Sequence, residues 1–165
     1  MSHADTLALN SVSVRYRLSE KTLLGEEAPE DFEAWDIAAH VDSPWMLISL
    51  ADMPINPRLM VSAGRLRGAD ENALVVSVVP QLYQQSEGGA FSLDVGVGGA
   101  WFSRYVFGVQ DFGGPFQFAL TLGITAPFYA HVGVGYRFMH YSDAGLNGPG
   151  TTGADFHMME LRYRF

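Results

Sequence analysis

The sequence predicts an all-β fold, an eight-stranded antiparallel up-and-down transmembrane β-barrel. Three observations predict it. Segment after segment alternates apolar and polar residues with period 2, as strands do when their two faces meet unlike surroundings. The sense of the alternation is inside-out. One face carries Phe, Leu, Val, Ile, Trp and Tyr, while the other carries Gln81, Asp94, Gln117, His131, Arg137, Glu160, Arg162 and Arg164 among glycines and serines. Opposite charges pair in a narrow interior, whereas an unbroken apolar face suits lipid. Finally, no segment of helical period interrupts the strands, and no apolar run reaches the length of a membrane-spanning helix.

Residues 7–18 make the first strand, with Val12, Val14 and Tyr16 opposing Ser11, Ser13 and Arg15. Residues 19–31, with Glu20, Glu26, Glu27, Glu30 and Asp31, read as a solvated acidic loop. The second strand covers 32–41, where Trp35, Ile37 and Ala39 oppose Asp36 and His40. Residues 42–57 are the least legible, and their apolar piece 45–50 fits a strand extension or a long turn. Strands three and four follow at 58–68 and 74–84. Glu87-Gly88-Gly89 turns the chain into the fifth, where Leu93, Val95, Val97 and Trp101 oppose Ser92, Asp94, Gly96 and Gly98. Gly113-Gly114 precedes the sixth, 116–124, and Ala126-Pro127 reads as a tight turn. The seventh strand, 128–142, has an apolar face that ends in His140 and Ser142. A glycine-rich loop, 143–154, leads to the last strand, 155–165.

Residues 1–3 read as an added leader, and 4–165 as a single domain long enough for a barrel. The chain has no cysteine, which removes any disulfide framework and any cysteine-based metal site. Its formal charge of −8 argues against nucleic acid as a partner. The histidines are scattered over both faces, so neither a metal site nor a cofactor is expected.

His140 and Ser142 share a face of one strand, and parity puts Asp155, His157 and Met159 on the same outward face of its antiparallel neighbour. Serine, histidine and a carboxylate on one patch support acyl transfer: the serine attacks, the histidine carries the proton, and the carboxylate holds the imidazole. Main-chain N–H groups near Gly145 are candidates to face the oxyanion.

The run His140-Tyr141-Ser142-Asp143-Ala144-Gly145-Leu146, then Pro149, then a carboxylate opening the final strand, resembles the lipid A 3-O-deacylase (PagL) family. Upstream the resemblance adds only the strand count and Gly64-Arg65-Leu66. The closing Leu-Arg-Tyr-Arg-Phe resembles the assembly signal of bacterial outer-membrane barrels. The family resemblance implies an outer-membrane serine esterase that removes the 3-O-linked hydroxyacyl chain of lipid A, acting at the lipid-facing outer leaflet on lipopolysaccharide. It implies His140 and Ser142 as catalytic residues. The family's acidic member, a glutamate, falls on Ala154, and Asp155 beside it takes the role if the loop is one residue longer. Glu160 has the wrong parity. The family's oxyanion-associated asparagine is Asp143 here. A carboxylate opposes an oxyanion unless main-chain amides suffice or the side chain turns away, so Asp143 also favours an alternative. That alternative is a non-enzymatic structural or adhesin-like barrel, or an inactive relative. Either reading admits a homodimer.

The remaining polar and aromatic residues have plainer readings. His40 and His131 read as hydrogen-bonded interior residues, and His157 as an interfacial polar residue or a substrate contact. Trp35, Trp101 and Tyr136 read as interface anchors. Arg65, Arg67 and Arg104 lie near external ends, where lipid A phosphates or rim neighbours would pair with them.

Overall fold

The computed structural model describes residues 7–19, 21–44, 48–50 and 53–165. Eight long strands form the wall: β1 (Ala8–Ser19), β2 (Phe32–Asp42), β3 (Met53–Gly68), β4 (Glu71–Gln85), β5 (Ser92–Phe102), β6 (Phe116–Tyr129), β7 (Val132–Ser142) and β8 (Ala154–Arg164). Each pairs antiparallel with its neighbours in sequence, and β1 pairs with β8 to close the ring. Closure leaves no free edge, so main-chain groups are satisfied without water. A short strand, Ile48–Leu50, extends the β2–β3 connection beside the start of β3. Residues 1–6, 20, 45–47 and 51–52, which include the expected leader and part of the least legible segment, lie outside the described residues.

The expected inside-out sense is what the fold displays. Val14, Trp35, Ile37, Val78, Val97, Phe118, Leu122 and Leu161 are exposed on the outer wall, whereas Arg15, Asp94, Arg137 and Glu160 are buried in the lumen. Arg137 Nε donates to Glu160 at 2.6 Å, and its two terminal nitrogens donate to the Asp94 carboxylate at 2.7 and 2.9 Å. Arg162 Nε holds the other Glu160 oxygen at 2.8 Å, and Arg15 grips Asp36 in a bidentate pair. Asp94, Gly123 and Arg137 lie in one register row across β5, β6 and β7. A Cβ on Gly123 would come within 2.5 Å of the Arg137 guanidinium, so the bare glycine is what lets that side chain cross β6.

The lumen is not polar throughout. Toward the end bearing the β1–β2, β5–β6 and β7–β8 loops it is filled by Phe32, Phe102, Phe107, Phe112, Tyr141 and Phe156, with neighbouring ring centroids 5.1 to 6.1 Å apart. Phe107 and Phe112 come from the β5–β6 loop, which folds inward and is stiffened by a small Val106–Phe107/Gln110–Asp111 ladder. Loop residues carry no strand alternation, so the pattern could not announce them.

The expected turn at Ala126-Pro127 is corrected. Both residues belong to β6, and the turn is Ala130-His131, with Ala130 at φ 45°. Pro127 stays in the strand beside a bulge, where Phe128 has no partner between the Tyr129–Val132 and Pro127–Gly133 pairs. Phe128 and Tyr129 therefore close β6, and neither begins β7. His131 is an exposed turn residue whose carbonyl accepts from Arg164 N–H, not the interior residue expected. His40 is fully buried as expected, with Nε2 3.5 Å from an Arg162 nitrogen.

Replacing Arg137 with methionine strands Asp94 and Glu160 without their shared cation. The variant should lose about 3–5 kcal/mol of unfolding free energy in detergent micelles. Urea titration followed by the heat-modifiable gel shift measures this, and a loss within error of zero would contradict the role assigned to the pair.

Candidate active site

Strand register puts the candidate residues together. His140 on β7 lies directly opposite Asp155 on β8, and both side chains take the outward face. His140 Nδ1 meets Asp155 Oδ1 at 2.6 Å. The other carboxylate oxygen accepts the Leu23 and Leu24 N–H groups at 2.5 and 2.8 Å. With the carboxylate accepting throughout, the imidazole proton belongs on Nδ1, and Nε2 is left as the basic nitrogen. Asp155 is buried although its face of the sheet points outward, because the β1–β2 loop lies across it.

Ser142 ends β7 two residues after His140. Its hydroxyl makes no hydrogen bond to a described residue, His140 included. Gly153 shows how close the two residues lie. The position a Cβ would take on it is 2.9 Å from Ser142 Cβ and 3.1 Å from His140 Cε1, and 2.6 Å from the Tyr141 carbonyl oxygen. One bare residue thus forms the floor between serine and imidazole.

Asp143 is buried and turned into its own loop. Oδ1 accepts the Gly145 N–H at 2.8 Å and the Thr151 hydroxyl at 3.1 Å, and Oδ2 accepts the Asn147 N–H at 3.0 Å. Burial pushes its carboxyl up, but these donors outweigh that and hold it below the usual carboxylate range. The Gly145 N–H, a candidate for the oxyanion, is therefore engaged by Asp143. The Ala144 N–H donates to no described residue.

An apolar groove of about 630 Å³ runs along the outer wall beside the serine, lined by Val78, Gly99, Trp101, Phe118, Leu146 and Asn147. Ser142, Phe118, Gly99 and Val78 form one register row across β7, β6, β5 and β4, so the groove begins one strand from Ser142. Of the expected anchors, Trp101 lines this groove, Trp35 stands exposed on the wall, and the Tyr136 hydroxyl meets His157 Nδ1. The rim arginines have rim partners: Arg65 with Asn72, Arg67 with Glu33 and Asp70, and Arg104 with Glu71. Among the described residues no cluster of His, Asp and Glu could hold a metal ion.

Sequence reasoning missed Gly153 and the main chain of residues 21–24. The loop does not behave as solvated acid along its whole length. Its one local signal was the apolar pair Leu23-Leu24 inside an acidic stretch.

The sequence profile of the lipid A 3-O-deacylase (PagL) family matches residues 33–164. The crystal structure of the outer membrane enzyme PagL superposes with a TM-score of 0.74 at 19% identity, covering 94% of this chain and 99% of that one. The backbone structure of the Yersinia pestis outer membrane protein Ail gives 0.53 at 13% identity, covering 95% and 99%. At these identities both likenesses concern the fold. No curated protein matches the chain.

Two outcomes follow from the geometry. Gly153→Ala drives a Cβ into the Tyr141 carbonyl and the serine–histidine gap, and should cost about a hundredfold in turnover with the barrel still folded; deacylation assays beside a gel-shift check measure it. The ionised Asp143 carboxylate has a lowered folded value, so its contribution to loop order is complete above the ordinary value of about 3.9 and is lost as the pH falls through the lower one. The Gly145 and Asn147 amide resonances should titrate with a midpoint below that ordinary value, and a midpoint at or above it would contradict the bonding described.

Proposed function

The chain belongs to the lipid A 3-O-deacylase (PagL) family, and from that premise we propose that it works as a serine esterase at the outer leaflet of the bacterial outer membrane. The observation that carries the mechanism is the 2.6 Å bond from His140 Nδ1 to Asp155 on the outward face, with Ser142 beside the ring. Ser142 Oγ attacks the carbonyl of the ester-linked 3-hydroxyacyl chain while His140 Nε2 takes its proton. The tetrahedral oxyanion collapses and expels the sugar 3-oxygen, which leaves as the hydroxyl after His140 returns the proton. A water activated by the same nitrogen then hydrolyses the acyl-serine, releasing the fatty acid and restoring Ser142. Asp155 holds the imidazole in the tautomer that leaves Nε2 basic.

Lipid-facing chemistry suits a lipid substrate. The apolar groove beside Ser142 is placed to take a hydrocarbon chain without moving it through water, and no cofactor is required. Because Asp143 bonds its own loop and Gly145, the Ala144 N–H is the main-chain group left to meet the oxyanion. The alternative reading, a non-enzymatic or lapsed barrel, is favoured by Asp143, which replaces an amide donor with an acceptor. Lipid A mass spectra of cells with and without the protein decide between them, since the enzyme removes one hydroxyacyl chain.

With lipopolysaccharide in detergent, Ser142→Ala and His140→Asn should each abolish release of 3-hydroxy fatty acid. Asp155→Asn, which leaves the imidazole free to hold the wrong tautomer, should lower turnover by about 10⁴-fold. Release at the parent rate from the serine variant would remove Ser142 from the reaction.

A further inference from the structure

The reaction as proposed does not use His157, yet this residue is more tightly tied than any ordinary interfacial histidine. It is two residues from Asp155 on the same outward face of β8, opposite Phe138, and is itself buried. Its Nε2 lies 2.6 Å from the Lys21 carbonyl oxygen, and its Nδ1 lies 2.5 Å from the Tyr136 hydroxyl. A carbonyl only accepts, so Nε2 must carry the proton and donate it. Nδ1 of the neutral ring is then the acceptor for the Tyr136 hydroxyl. Tyrosine fixes the ring, and the ring fixes the carbonyl of Lys21.

That carbonyl starts the segment whose next N–H groups, Leu23 and Leu24, both point at Asp155 Oδ2. Ser19, where the loop leaves β1, pairs with His157 across a bulge in β1, and the Lys21 N–H returns to the Ser19 hydroxyl at 3.2 Å. The segment is therefore held at its root and at its first carbonyl, and it delivers two donors to one carboxylate oxygen. A carboxylate gripped by two main-chain N–H groups on Oδ2 presents Oδ1 to His140 in one orientation.

We propose that His157, set by Tyr136, is a positioning residue for the acyl-transfer site, acting through the main chain of residues 21–24 on Asp155. The first external loop is on this view a working part of the triad. The inference rests on the serine-esterase reading for its kinetic consequence, but the hydrogen-bond relay stands independently of turnover.

The test uses the full chain folded in detergent micelles. Amide exchange of Leu23 and Leu24 is followed by NMR in the parent, His157→Ala, His157→Gln and Tyr136→Phe proteins. His157→Ala should speed both amides by about tenfold or more, because the loop opens locally once its anchor is gone. His157→Gln, whose amide nitrogen still donates toward Lys21, should restore most of the protection, and Tyr136→Phe should fall between. Unchanged exchange in a folded His157→Ala protein overturns the proposal. Turnover on lipopolysaccharide supplies the second arm. His157→Ala should lower kcat by about tenfold to a hundredfold with KM little changed, and should add nothing further in an Asp155→Ala background. An equal loss in both backgrounds would show that His157 does not act through Asp155 and also overturns it. If Ser142→Ala keeps parent activity while the exchange result holds, the esterase reading fails and the relay survives.

Discussion

The guanidinium of Arg137, buried between Asp94 and Glu160, is the interaction on which the rest of the wall depends. It joins β7 to β8 directly and reaches across β6 to β5, over a glycine that exists to let it pass. Charges this deep tolerate few arrangements, since each must keep its partner or be left stranded. A slip of β7 against β8 by one residue would send Arg137 outward into lipid and bring the oily face inward. The lumen pairing therefore fixes register, and the same register sets His140 against Asp155 on the opposite side of the same two strands. Inner electrostatics and outer chemistry are one constraint seen from two faces.

The wall supporting the site is correspondingly two-sided. Behind His140, Ser142 and Asp155 the intervening residues Met139, Tyr141, Ala154 and Phe156 turn inward and pack in the aromatic plug. Tyr141 adds a hydroxyl contact to Ser77 at 3.1 Å across the lumen. A packed interior resists small displacements, so strand ends that would fray in an open barrel are held in place. The outward side chains of His140, Ser142 and Asp155 then inherit a rigid base.

The external loops complete what the strands begin. The β1–β2 loop lays main-chain donors on Asp155, and the β7–β8 loop is drawn shut by Asp143. The β5–β6 loop sends Phe107 and Phe112 into the lumen, and its Gln110 and Asp111 bond the main chain of Thr152. Asp143 is informative here. Its carboxylate serves the loop, accepting from Gly145, Asn147 and Thr151.

The strand pattern alone determined the barrel, its inside-out sense and the shared face of His140, Ser142 and Asp155, because side-chain direction along a strand follows from parity and nothing else. Parity also preferred Asp155 to Glu160, and in the register Asp155 lies opposite His140. Where no period operates, the sequence was silent or misleading. It set the β6–β7 turn at Pro127 because the bulge beside that proline is defined only against the partner strand. It read the acidic first loop as solvated because the N–H groups of Leu23 and Leu24 are common to any residue. It could not see Gly153 between serine and histidine, or His157 bound to a distant carbonyl. These features belong to close approaches between segments far apart in the chain, and only the closed barrel brings those segments together.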